Sequence, residues 1–138
     1  MNKNQVINNE NIAIIGGAGF VGSRLARRFK KKSILFNTYD VDCSNELNRN
    51  IYLDIEKVET LDKLKKVSII INLAAVHRDD VRPLSRYEDV NIQGSINVCN
   101  AARKFNINKI IFTSSVAIYG FAPPNTSESG KPNYFNDY

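Results

Sequence analysis

Ile12-Ala13-Ile14-Ile15-Gly16-Gly17-Ala18-Gly19-Phe20-Val21-Gly22 is the stretch on which the fold turns. Its short, continuous apolar run reads as a strand buried on both faces. Glycines at 16, 19 and 22 then open a segment in which Val21, Leu25 and Phe29 recur at helical spacing. The first glycine permits a tight turn, the second lets the backbone approach a pyrophosphate, and the third lets the helix pack close to the strand. A helix N-terminus at that point adds free N–H groups and the positive end of a dipole. A P-loop is excluded, because no Gly-Lys-Ser/Thr follows the turn.

Working outward, the apolar runs Ile34–Phe36, Val67–Leu73 and Ile110–Phe112 read as further buried strands, and Ile51–Asp54 as a short one. Val58 to Lys65 is expected to form a short helix. Val90, Gly94, Val98, Ala102 and Phe105 nearly keep a period of four and mark another. Strands alternating with helices predict an α/β fold, a Rossmann-type doubly wound parallel sheet with right-handed crossovers. Asp40 follows the second strand, 24 positions after Gly16, near the spacing of an acid that binds a ribose. Its carboxylate would accept from both ribose hydroxyls and repel a 2′-phosphate, which favours NAD over NADP as cofactor. Asp42 is the competing acid.

The length of 138 residues allows one domain of ordinary size, and 43% hydrophobic with 24% charged residues excludes a disordered or fibrous chain. The net charge of +5 raises the question of nucleic acid. Arg27, Arg28, Lys30, Lys31 and Lys32, however, account for the whole excess and close the first helix, where cations complement the macrodipole. No nucleic-acid partner is therefore expected. Cys43 and Cys99 are too few and too far apart for a zinc site or disulfide framework and are read as buried small apolar residues of a cytoplasmic protein. Residues 1–10 form a polar extension, and no apolar run approaches the roughly 20 residues that span a bilayer, so no membrane partner is expected. Asp79 and Asp80 lack further ligands, so no metal is expected. His77, Arg78 and Arg82 share their loop, where a role near the cofactor or substrate competes with surface ion pairing. The stretch 121–130 is turn-rich and reads as an exposed loop.

From about Asn11 to Tyr138 the chain resembles the extended short-chain dehydrogenase/reductases, the NAD-dependent sugar-nucleotide epimerases and dehydratases. The resemblance rests on the glycine turn, on Asp54-Ile55, on Leu73-Ala74-Ala75, on Asn91-x-x-Gly94-x-x-Asn97 and on the segment Thr113-Ser114-Ser115-Val116-Ala117-Ile118-Tyr119-Gly120. It implies cofactor contacts from Gly16, Gly19, Phe20, Val21, Gly22, Asp40, Asp54, Ile55, Leu73, Ala74, Ala75 and Asn91. Ser115 is implied as catalytic, with Ser114 beside it. Tyr119 is read as structural, and Tyr138 falls where the family's catalytic tyrosine stands, four residues before a lysine.

In that family, hydride passes between a sugar carbon and the nicotinamide while a phenolate moves the hydroxyl proton. A free tyrosine has a pKa of about 10, so cationic neighbours must favour its phenolate near neutral pH. The lysine would lie four positions beyond Tyr138, and Lys131 is in the wrong frame to replace it. The resemblance thus implies the cofactor-binding N-terminal part, residues 11–138, of an epimerase or dehydratase of polysaccharide biosynthesis. In this reading its sugar-nucleotide domain is absent through truncation, a premature stop or an imposed boundary. The expectations that go with it are a nucleotide-sugar substrate, a homodimer at full length, and no turnover by these residues alone. An incomplete sheet would also expose an edge strand and promote association. A non-catalytic NAD-binding module, a related sugar-nucleotide reductase and a basic nucleic-acid-binding domain are the other readings.

Overall fold

The computed structural model describes residues 11–44 and 50–134; the polar stretch 1–10 lies outside them, as do 45–49 and 135–138. Five strands, β1 (Ile12–Ile15), β2 (Phe36–Asp40), β3 (Ile51–Tyr52), β4 (Ile69–Asn72) and β5 (Lys109–Phe112), form one sheet in the order β3-β2-β1-β4-β5. Every pairing is parallel. The chain leaves β1 toward β2 and β3, then returns to place β4 on the other side of β1. This reversal opens a crevice at the C-terminal ends of β1 and β4, where ligands of such sheets bind.

Helix α1 (Phe20–Lys31) covers one face and brings Leu25, Ala26 and Phe29 against Ile14 and Ile71. The other face is covered by a 3-10 segment (Val58–Leu64) and by a helical run of α2 (Ser85–Tyr87), a π-helical stretch (Glu88–Gly94) and α3 (Ser95–Lys104). Its core joins Ile15, Ile70, Leu53, Leu61, Leu64 and Val98. Helices on both faces make this the doubly wound α/β sheet anticipated above.

Several boundaries differ from the sequence reading, each for a local reason. The second strand starts where the Ile34–Phe36 run ends. Ser33 takes φ 53°, Ile34 N–H closes the helix end on Phe29 O at 3.0 Å, and Leu35 is exposed. Register with β1 pairs Ile12 with Phe36, so the strand is Phe36-Asn37-Thr38-Tyr39-Asp40, buried at Thr38 and Tyr39 and too polar to stand out as an apolar run. The expected helix from Val58 is 3-10 in type. Thr60 N–H donates to Lys57 O at 2.9 Å, and Leu61 and Leu64, three apart, are both buried, as three residues per turn require.

Val21 lies off the buried face of α1, which is carried instead by Gly22, Leu25, Ala26 and Phe29. Close seating of Gly22 on the Gly16 carbonyl turns the helix that way. The cysteines also differ from expectation: Cys43 is exposed in the turn after β2, and Cys99 is only half-buried on α3. In β5, Ile110, Ile111 and Phe112 are exposed, because among the described residues β5 is a sheet edge.

Gly94 brings the helical run against Ile55 in the loop after β3. A Cβ there would sit 2.6 Å from Ile55 Cδ1. Gly94→Ala is expected to destabilise the fold by about 1–3 kcal/mol through overpacking. A urea titration read by circular dichroism checks this; an unchanged midpoint would show that Ile55 rearranges freely.

Candidate cofactor-binding site

A cleft of about 930 Å³ opens at the C-terminal ends of the strands, within the range of small-molecule sites. Its floor is the glycine turn. Gly16 adopts φ 85°, and a Cβ on it would lie 2.8 Å from the Leu73 carbonyl carbon and 2.9 Å from Ala74 N. Only glycine satisfies both the backbone angle and the contact. Gly16 and Gly17 N–H groups donate to Tyr39 O at 2.9 and 3.0 Å, which ties the turn to β2. Burial among these strands pushes the Tyr39 phenol above its usual pKa. A methyl at Gly22 would overlap the Gly16 carbonyl oxygen. The first turn of α1 has neither a side-chain cap nor an acid, and Gly19, Phe20, Val21 and Gly22 all line the cleft.

Asp40, at the end of β2, anchors this turn. Its Oδ2 accepts from Ala18 N–H at 2.8 Å and its Oδ1 from Asp42 N–H at 3.0 Å. A carboxylate offers about four acceptor sites, so each oxygen keeps capacity for a ligand hydroxyl. Asp42 also borders the cleft, but its Oδ1 accepts from both Ser44 N–H and Ser44 Oγ, at 2.8 and 2.6 Å. The Ser44 hydroxyl holds that carboxyl below the usual range. The structure thereby separates the two acids: Asp40 is joined to the glycine turn, Asp42 to its own loop.

The loop after β3 supplies Asp54 and Ile55. Asp54 Oδ1 accepts from Glu56 N–H at 3.1 Å, and its Oδ2 lies 3.3 Å from Lys57 Nζ. Thr60 Oγ1 accepts from Asp54 N–H at 3.0 Å and contacts Asp54 O at 2.7 Å, fixing the backbone on both sides of that residue. Ile55 is buried, and its carbonyl accepts from Asn97 Nδ2 at 2.9 Å. Glu56 meets Arg86 in a two-pronged ion pair at 2.6 and 2.7 Å on the cleft wall. That pairing raises the Arg86 pKa and joins the β3 loop to α2.

Across the cleft, Leu73, Ala74, Ala75 and Val76 continue from β4. Asn91 does not line the cleft. Its Oδ1 accepts from Val76 N–H at 2.8 Å and its Nδ2 donates to Val76 O at 2.9 Å, so it clamps the loop that does. His77 lies on the rim, and Arg78 pairs with Asp80 at 2.6 Å. Beyond β5, Thr113 and Ser114 border the cleft. Ser115 accepts from Ala117 N–H at 3.2 Å and so caps a 3-10 turn, Val116–Tyr119.

A model of the NAD dependent epimerase/dehydratase family matches residues 12–138. The chain belongs to this family. An N-acetyl-alpha-D-glucosaminyl-diphospho-ditrans,octacis-undecaprenol 4-epimerase of Escherichia coli O157:H7 is 39% identical, over 94% of this chain and 40% of that protein. Solved structures agree in fold. The UDP-glucose 4-epimerase from Brucella ovis in complex with NAD has a TM-score of 0.83 at 26% identity, covering 94% of this chain and 43% of that one. The Thermotoga maritima UDP-glucose 4-epimerase with UDP-glucose gives 0.81 at 28%, covering 93% and 46%. The chain thus spans less than half the length of each of these relatives.

In this member of the epimerase/dehydratase family, the anticipated residues Gly16, Gly19, Phe20, Val21, Gly22, Asp40, Asp54, Ile55, Leu73, Ala74 and Ala75 converge on one cleft. Asn91 acts one step behind it, Ser115 sits just past its wall, and Tyr138 lies outside the described residues. No group of three potential metal ligands occurs among the described residues. The sequence reading missed Gly17, where a Cβ would meet Thr38 Cβ at 2.7 Å, and also Thr60, Thr113 and the Glu56–Arg86 pair. Glu56 and Arg86 lie 30 positions apart with no motif joining them.

Because both amide ends of Asn91 hold Val76, Asn91→Leu is expected to leave a backbone donor and acceptor without partners, at a cost of about 1–3 kcal/mol each if they stay dry. Hydrogen exchange checks this. The Val76 amide should lose protection well before the β4 amides do.

Proposed function

We propose that this chain provides the NAD-binding part, and one wall of the reaction site, of an enzyme that moves hydride at a carbon of a sugar carried on a diphosphate. The observation that carries this reading is the convergence of the Gly16 turn, the uncapped first turn of α1 and the Asp40 carboxylate on one cleft. These groups suit a dinucleotide: N–H donors for a pyrophosphate and an acid for ribose hydroxyls. Bound there, NAD would supply the hydride acceptor and donor.

The remaining roles belong to the chain's own groups. Ala74 and Ala75 present small side chains, and with Val76 they form a wall that Asn91 keeps in place. Ser115 Oγ accepts from Ala117 N–H, which leaves its O–H free to donate to a substrate oxygen. Tyr138 is proposed as the group that takes and returns the sugar hydroxyl proton. The carrier on the diphosphate is a nucleoside or a polyprenol; relatives with UDP-glucose and with undecaprenol-linked substrates support both forms. Membership of a family of epimerases and dehydratases supports either outcome at the sugar carbon.

Calorimetric titration of the folded chain with NAD and NADP tests the proposal. NAD should bind more tightly than NADP. Asp40→Asn should weaken NAD by about tenfold, the loss of one charge-assisted hydrogen bond, and narrow the preference over NADP. A folded chain that binds neither dinucleotide would refute the reading.

A further inference from the structure

The exposed side of α1 begins at the cleft mouth and carries only positive charge. Phe20 and Val21 line the cleft yet are 72% and 56% exposed. At 3.6 residues per turn, Phe20, Arg24, Arg27, Arg28 and Lys31 fall within an arc of about 100°. All four cations are exposed, and the Arg24 guanidinium lies 3.4 Å from the centre of the Phe20 ring. The result is a stripe with an aromatic head at the cleft and a cationic body running down the helix.

Two features distinguish this stripe from an ordinary solvated helix end. Five cations elsewhere are matched by acids: Lys57 with Asp54, Lys65 and Lys104 with Asp62, Arg78 with Asp80, Arg86 with Glu56. None of the α1 cations joins an ion pair among the described residues, and the sequence has no acid between Glu10 and Asp40. The helix dipole favours Arg28, Lys30 and Lys31 in the last turn, but its effect fades within that turn and does not reach Arg24 or Arg27.

We propose that this face of α1 is a peripheral docking surface for an anionic lipid bilayer. Charge complementarity selects an anionic partner. The apolar pair at one end fits the headgroup boundary, where a polar helix face and a few apolar side chains share the interface. The absence of a bilayer-spanning run does not bear on attachment of this kind. The choice of lipid over nucleic acid rests partly on the substrate reading above, since a sugar on a polyprenol diphosphate is presented at a membrane and the stripe begins at the cleft mouth.

Co-sedimentation of the full chain with vesicles tests this, using phosphatidylcholine alone and phosphatidylcholine mixed with phosphatidylglycerol. Binding should appear only with the anionic mixture and fall as salt rises. Each cation removed should weaken partitioning about fivefold, and the combined variant R24Q/R27Q/R28Q/K31Q on the order of 600-fold. Should that variant fail to fold, the single substitutions Arg27→Gln and Lys31→Gln give the same reading. Equal binding to both vesicle types, or undiminished binding by the variants, overturns the proposal. So does tighter retention on duplex DNA than on anionic vesicles at one ionic strength. NAD titration of the same samples is read separately: lost NAD binding with vesicle binding intact removes the cleft reading alone.

Discussion

The cleft depends on how closely one peptide turn approaches the end of a neighbouring strand. Gly16 sits against the Leu73–Ala74 peptide at a distance that leaves no room for a side chain, in a backbone conformation that L side chains rarely adopt. That contact brings the ends of β1 and β4 together at the reversal of strand order. The same turn then receives Gly22 against its carbonyl and Asp40 on the Ala18 N–H. Helix α1, strand β2 and strand β4 are thus positioned by a single loop. A side chain at Gly16 would disturb all three at once, whereas most positions on the cleft wall affect only their own element.

The opposite wall is set by a second group of contacts, which explains the spacing of Asn91, Gly94 and Asn97. Successive turns of one helical run place Asn91 on Val76, Gly94 on Ile55 and Asn97 on the Ile55 carbonyl. The motif therefore joins the loops after β3 and β4, both of which border the cleft. Thr60 adds a local clasp on Asp54, and the Glu56–Arg86 pair closes the outer side. These residues shape the site by holding backbone, which is why their chemistry resembles capping and turn formation more than catalysis.

Charge is divided between the two sides of the molecule. On the face that carries the helical run, acids and bases are interleaved, and several meet in ion pairs. On α1, cations stand without acids along a stripe that starts at the cleft. Net charge alone conceals this division. A modest overall excess is the sum of a nearly balanced surface and one concentrated basic face.

By itself, the sequence determined the α/β class, the strand-turn-helix at Gly16 and the acid after the second strand, because glycine spacing and buried apolar runs are local signals. It also marked β4, whose Ile69-Ile70-Ile71 run is buried throughout. The β2 boundary was less legible, since Thr38 and Tyr39 owe their burial to neighbours that periodicity does not reveal. The cysteines were misjudged for a similar reason: burial follows from which way a turn or helix faces, and residue type sets only a tendency. Tertiary structure alone decided which acid meets the glycine turn, that Asn91 holds a loop instead of lining the cleft, and that Glu56 finds Arg86. Each of those outcomes is a contact between segments far apart in the chain, and only packing of the sheet and its two helical layers brings such segments within hydrogen-bonding distance.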